Sequence, residues 1–76
     1  EYKGINVATL QTLAETHNLT VITVETLREA GFINKNQLVK ILGNGELTAK
    51  LEVSANAFSK SAIAKIEAVG GTATTL

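Results

Sequence analysis

Apolar and polar positions alternate over Ile5-Asn6-Val7, the two-residue period of a short strand. From Thr9 the spacing changes. Leu10, Leu13, Ala14 and His17 fall on one helical stripe, which predicts a first helix with His17 on its inner edge. Asn18 ends that helix, because its short amide competes for backbone hydrogen bonds. The β-branched, apolar stretch Leu19 to Ile22 predicts a second strand. Thr23 is placed to cap a second helix, with Glu25 near its electropositive end. Val24, Leu27 and Ala30 form that helix's buried stripe, and Gly31 stops it.

After the polar loop Asn34-Lys35-Asn36-Gln37, the run Leu38 to Leu42 reads as a strand. Gly43-Asn44-Gly45 predicts a tight hairpin turn, since Asn-Gly accepts the positive φ angles such turns require. Leu47 then opens the returning chain and Leu51-Glu52-Val53 alternates as a strand does. Ser59 or Ser61 caps a third helix whose stripe is Ala62, Ile63, Ile66 and Val69. Gly70-Gly71 stops it, and Thr72 to Leu76 is a β-prone tail. The order strand, helix, strand, helix, hairpin, helix, strand predicts a small single-domain α/β fold of short elements. Ile5-Asn6-Val7-Ala8-Thr9-Leu10 is echoed 17 residues later by Ile22-Thr23-Val24-Glu25-Thr26-Leu27, with four of six positions identical. Chance, or two helix starts obeying the same local rules, is one reading; a repeated strand–helix unit stacked on its neighbour is the other.

Composition narrows the class. The 76 residues fit one small core, and 45% apolar content is too high for a disordered tail. With no cysteine and one histidine, disulfide scaffolds and Cys-rich zinc sites are excluded, and a reducing compartment is compatible. No apolar run approaches the ~20 residues of a membrane span, and no basic leader precedes an apolar segment. The chain opens on Glu1 rather than methionine, so the expectation is a trimmed chain or a domain of a longer one. Seven basic against seven acidic side chains give zero net charge, which withdraws the usual first sign of a nucleic-acid partner.

Candidate chemistry is sparse. There is no aspartate, the seven glutamates are dispersed, and His17 accompanies no nucleophile motif, so a structural or surface histidine is expected. Ser59 and Ser61 lack a Gly-x-Ser-x-Gly elbow. Gly43-Asn44-Gly45 lacks the Lys-Ser/Thr of a phosphate-cradling loop, and Glu46 would repel phosphate. No enzyme activity, metal, cofactor or small-molecule substrate is expected. Phe58-Ser59-Lys60-Ser61-Ala62 gathers two hydroxyls and a lysine where a helix begins, and free amides with a positive dipole there favour an anion. Plain capping with a solvated Lys60 is the alternative, and the two can coexist. Lys35 and Lys40 are further basic residues near turns.

The run Lys40-Ile41-Leu42-Gly43-Asn44-Gly45-Glu46-Leu47, then Leu51-Glu52-Val53, Phe58-Ser59-Lys60-Ser61-Ala62, Ile66 and Gly70-Gly71, closely resembles a family signature. The family is that of the bacterial large-subunit ribosomal protein L-fifteen, in its C-terminal domain. Val24-Glu25-Thr26-Leu27 and Ala30-Gly31-Phe32-Ile33 resemble its preceding helix and loop, so the likeness spans nearly the whole of residues 1–76. The resemblance implies an irregular superhelix of strand-strand-helix turns, serving as a structural component of the bacterial large subunit. It implies partners in ribosomal RNA and neighbouring ribosomal proteins, a cytoplasmic location, and no membrane. It also implies that a basic, glycine-rich N-terminal arm of the family is missing from these residues, which fits the neutral charge. RNA contact is then expected at Ser59, Lys60 and Ser61, with Lys35 and Lys40, on phosphates and sugars rather than bases. Tyr2, Phe32 and Phe58 are too scattered for a stacking platform, and Phe58 is expected in the core. The alternative function is docking on neighbouring ribosomal proteins with little direct RNA contact.

Overall fold

The computed structural model describes residues 1–76. The elements follow in the order β1 (Tyr2–Asn6), α1 (Val7–His17), β2 (Val21–Ile22), α2 (Val24–Glu29), β3 (Leu38–Leu42), β4 (Glu52–Ala55), β5 (Ala57–Phe58), α3 (Lys60–Ala68) and β6 (Thr72–Thr75). Odd strands form one three-stranded sheet, β1-β3-β5, called sheet A below; even strands form the other, β2-β4-β6, called sheet B. Every pairing is parallel. The chain therefore shuttles between sheets and completes three superhelical turns: β1-α1-β2, then β3-loop-β4, then β5-α3-β6, with α2 leading from the first to the second. The α/β class, the short strands and the three short helices are as expected, the turns running strand–connection–strand.

Parallel neighbours cannot be joined by a hairpin, and the hairpin expected at Gly43-Asn44-Gly45 is absent. Residues 43–51 instead carry the chain across from β3 in sheet A to β4 in sheet B. Their glycines serve close approach. A Cβ at Gly43 would run into the Ser61 side chain of α3, and one at Gly45, where φ is +94°, would strike Ala8 of α1. The backbone threads between two helix starts, and local turn chemistry could not reveal that.

Other boundaries moved for similar reasons. Val7 opens α1 instead of closing a strand, and β1 begins earlier, at Tyr2, because it pairs residue for residue with β3 from Tyr2↔Leu38 to Asn6↔Leu42. β5 went unpredicted, since two residues carry no periodicity; it exists because Lys40 and Ile41 of β3 supply its partners. His17 and Ala30, placed by helical spacing on buried stripes, are both exposed. Each stands at a helix end, where the chain turns away through the left-handed residues Asn18 and Gly31.

The echo corresponds to real structure. Ile5 and Ile22 are buried strand residues, Asn6 and Thr23 are N-caps, Val7 and Val24 open helices, and Leu10 and Leu27 are buried below them. The units are half a turn apart, one rising from each sheet, rather than stacked within one sheet. All three helices close alike: backbone N–H groups of Leu19, Phe32 and Gly71 reach back to the carbonyls of Ala14, Leu27 and Ile66. These are the Schellman bonds that satisfy otherwise orphaned carbonyls.

The core is one cluster of 16 buried side chains with no polar or charged member. It joins inner positions of sheet A (Ile5, Val39, Ile41) and sheet B (Ile22, Val53, Ala55) to the helix stripes. Leu47 and Leu51 of the loop crossing enter the same cluster, and Phe58 packs against it half-buried.

Candidate functional site

The serine–lysine corner forms where β5 passes into α3. Ser59 is extended, with φ −74° and ψ 159°, and its Oγ accepts a hydrogen bond from Ala62 N at 3.2 Å. Of the two serines, Ser59 is the cap. Ser61 Oγ lies 3.3 Å from Ser59 Oγ on exposed surface, so the two hydroxyls form a pair. Lys60 is the first helical residue and is exposed. Its ammonium stands against the positive end of the helix dipole, and the first turn carries no acidic residue to offset it. Dipole and side chain thus add to one positive corner, an arrangement that an anion relieves.

Two of the other expected positions fall differently. Lys40 lies on β3, half-buried, in register with Gly4 of β1 and Ala57 of β5. Ala57 precedes Ser59 by two residues, so Lys40 and Ser59 share the outer face of sheet A, on the order of 8 Å apart at ordinary strand spacing. Lys35 is exposed in the loop before β3, at the opposite end of that strand from the corner. The fold brings four of the five expected residues to one region and leaves Lys35 outside it.

Sequence reasoning missed Lys65. Its Nζ donates to Gly43 O at 2.6 Å and Gly45 O at 2.7 Å, which fastens the loop crossing to α3. The signal was available: Lys65 follows Ser61 by four residues and therefore shares its helical face. With its charge engaged by carbonyls, Lys65 shapes the corner's floor and leaves Lys60 as its cation.

His17 lines a shallow groove of about 300 Å³ with Leu13, Leu19, Thr26, Glu29 and Ala30. The hydroxyl in that groove belongs to Thr26, which is already engaged with Thr23 in a capping box around α2. No three His, Cys, Asp or Glu side chains gather to hold a metal ion, and no helix is long and apolar enough to cross a membrane. Two hydroxyls and an ammonium standing at the surface, on a coil of parallel strands, make the corner a polar surface feature rather than a cleft.

Comparison with known proteins specifies the class. The family described as "Ribosomal proteins 50S-L15, 50S-L18e, 60S-L27A" matches residues 4–74, and the chain belongs to this family of ribosomal components, which are not enzymes. The chain is 64% identical over 76 residues to the large ribosomal subunit protein uL15 of Phocaeicola vulgatus, covering 100% of this chain and 51% of that protein. It is 67% identical over 72 residues to uL15 of Bacteroides thetaiotaomicron, covering 95% of this chain and 49% of that protein. The uL15 of Parabacteroides distasonis is 65% identical over 72 residues, with the same coverage of 95% and 49%. The chain thus spans about half the length of the curated relatives it matches.

Proposed function

We propose that this domain is a structural component of the large ribosomal subunit that rests on ribosomal RNA through the Ser59-Lys60-Ser61 corner, with Lys40 beside it and Lys35 as an outlying contact, and so supports subunit assembly. The observation that carries the reading is the 64–67% identity to proteins named for the large ribosomal subunit. The corner supports it in physical terms, since its capped helix start, paired hydroxyls and free lysine form a positive, hydrogen-bonding surface for phosphates and 2′-hydroxyls. The contacts position the domain without reading sequence. The 76 residues form the C-terminal globular part of a protein whose basic, glycine-rich arm makes the larger electrostatic contribution; relatives about twice as long support this division.

The test is Lys60→Glu in the full-length protein, measured by binding to deproteinised large-subunit RNA across a salt series. Affinity falls and the salt slope shrinks by roughly one phosphate contact. The melting temperature stays the same or rises slightly, because glutamate suits a helix N-terminus. Loss of stability with unchanged RNA affinity overturns the corner's role. Zero net charge favours a second reading, docking on neighbouring large-subunit proteins with little RNA contact. Apolar docking would leave subunit association nearly indifferent to salt.

A further inference from the structure

Gly43-Asn44-Gly45 carries a chemistry that neither the fold nor the corner uses. Where glycine follows asparagine, the side-chain carboxamide meets the least hindered of backbone nitrogens, since glycine sets no Cβ beside its N–H. Asn6, Asn18, Asn34, Asn36 and Asn56 each precede a residue with a side chain, and only Asn44 precedes glycine. Packing forces that choice: with φ at +94°, a Cβ on Gly45 would strike Ala8 of α1. The contact that excludes every side chain at position 45 therefore leaves Asn44 beside a bare nitrogen.

Both reacting groups are free. Asn44 and Gly45 are exposed, the Asn44 carboxamide makes no hydrogen bond, and Gly45 N donates to no group of the chain. The carbonyl between them is engaged instead: Ala8 N, in the first turn of α1, donates to Asn44 O at 3.2 Å. In a trans peptide the N–H points opposite to the carbonyl, so Gly45 N–H faces away from α1. The same bond polarises the peptide. When Gly45 N gives up its proton, the charge left on Asn44 O meets a helix N-terminal amide and the positive end of the dipole. Lys65 Nζ holds the flanking carbonyls of Gly43 and Gly45 and adds a positive charge close by. The nitrogen is thus open to solvent and more readily deprotonated than an ordinary amide.

We propose that Asn44 is a modification site, at which Gly45 N closes on the Asn44 side chain and the loop crossing acquires aspartate or isoaspartate without an enzyme. Gly45 N bonds to Asn44 Cγ, the Cγ–Nδ2 bond breaks, and ammonia leaves with the proton that Gly45 N gave up. Water then opens the succinimide. Attack at Cγ leaves aspartate in the ordinary backbone. Attack at the Asn44 main-chain carbonyl leaves isoaspartate, with the chain routed through Cβ and longer by one methylene. The two products differ in consequence. Aspartate sets a carboxylate near the N-terminus of α1 and near Lys65, which suits it. Isoaspartate lengthens a backbone whose glycines are fitted against Ser61 on one side and Ala8 on the other, so the crossing and its Lys65 bonds lose their register.

Ageing the full-length protein at mildly alkaline pH, followed by peptide mapping, tests this, with a peptide of residues 40–50 as the unrestrained reference. Asn44 is expected to convert before Asn6, Asn18, Asn34, Asn36 and Asn56. Its rate is expected within about tenfold of the peptide's, as for a site that needs only slight local opening. Asn44→Gln, which would have to close a larger ring, shows no conversion over the same period. The melting temperature of aged protein is expected to fall as isoaspartate accumulates, whereas Asn44→Asp melts at or slightly above the parent temperature. An Asn44 that stays intact when the peptide has largely converted, or that lags another of these asparagines, overturns the site. Aged protein rich in isoaspartate that melts like fresh protein overturns the loss of register in the crossing.

Discussion

Three times the chain crosses from sheet A to sheet B, and it does so by two different means. The first and third crossings are helices, α1 and α3, which hydrogen-bond their own backbones. The second, residues 43–51, has no helix and lies between those two. It takes its partners from them. Gln11 of α1 accepts from Thr48 N at 2.9 Å and Ala49 N at 3.1 Å, Ala8 N donates to Asn44 O at 3.2 Å, and Lys65 of α3 donates to the carbonyls of Gly43 and Gly45. A helical crossing is locally self-sufficient, whereas the loop crossing exists only in a finished neighbourhood. The helices here thus fill two roles, as core-building layers and as the surrogate backbone partners of the segment between them.

That contrast sets an order of mutational effects. Gly43→Val is expected to destabilise by about 3 kcal/mol, because the Ser61 hydroxyl can rotate away but Ser61 Cβ and the Ala62 backbone cannot. Chemical denaturation at constant m-value measures it. Gln11→Ala, which strips the acceptor from two loop amides, costs about 1–2 kcal/mol. Hydrogen exchange then speeds up at Thr48 and Ala49 while the α1 amides stay protected. Lys65→Met keeps the aliphatic stem but frees two carbonyls to water, and a loss of about 1 kcal/mol is expected in thermal melts. Ser59→Ala removes a cap from a self-supporting helix and costs about 0.5–1 kcal/mol. A cap variant more damaging than the Gln11 variant would show that the loop depends less on its neighbours than its bonding pattern implies.

What could be read from the chain divides along the same line. Elements held by local rules were legible: the Leu38–Leu42 strand, Thr23 as a cap, the apolar stripe of α3, and the glycines beyond α2 and α3. Features created by distant partners were not. Gly43-Asn44-Gly45 has the local chemistry of a hairpin, and only its position between Ala8 and Ser61 makes it a crossing. β5 is too short to announce itself and depends on β3 for its existence. Of the corner, Ser59 and Lys60 were visible because capping is local. Lys65 and the face shared by Lys40 and Ser59 required strand register and loop path, which no window of sequence contains.

The Lys65 clamp also bears on how the domain is made. Its carbonyl partners lie 22 and 20 residues earlier in the chain. During synthesis the α1 partners of the loop, Ala8 and Gln11, precede it, whereas the two Lys65 bonds wait until most of α3 has emerged. The middle turn is thus tied from both directions along the chain, by residues made before it and by one made some 20 residues after it.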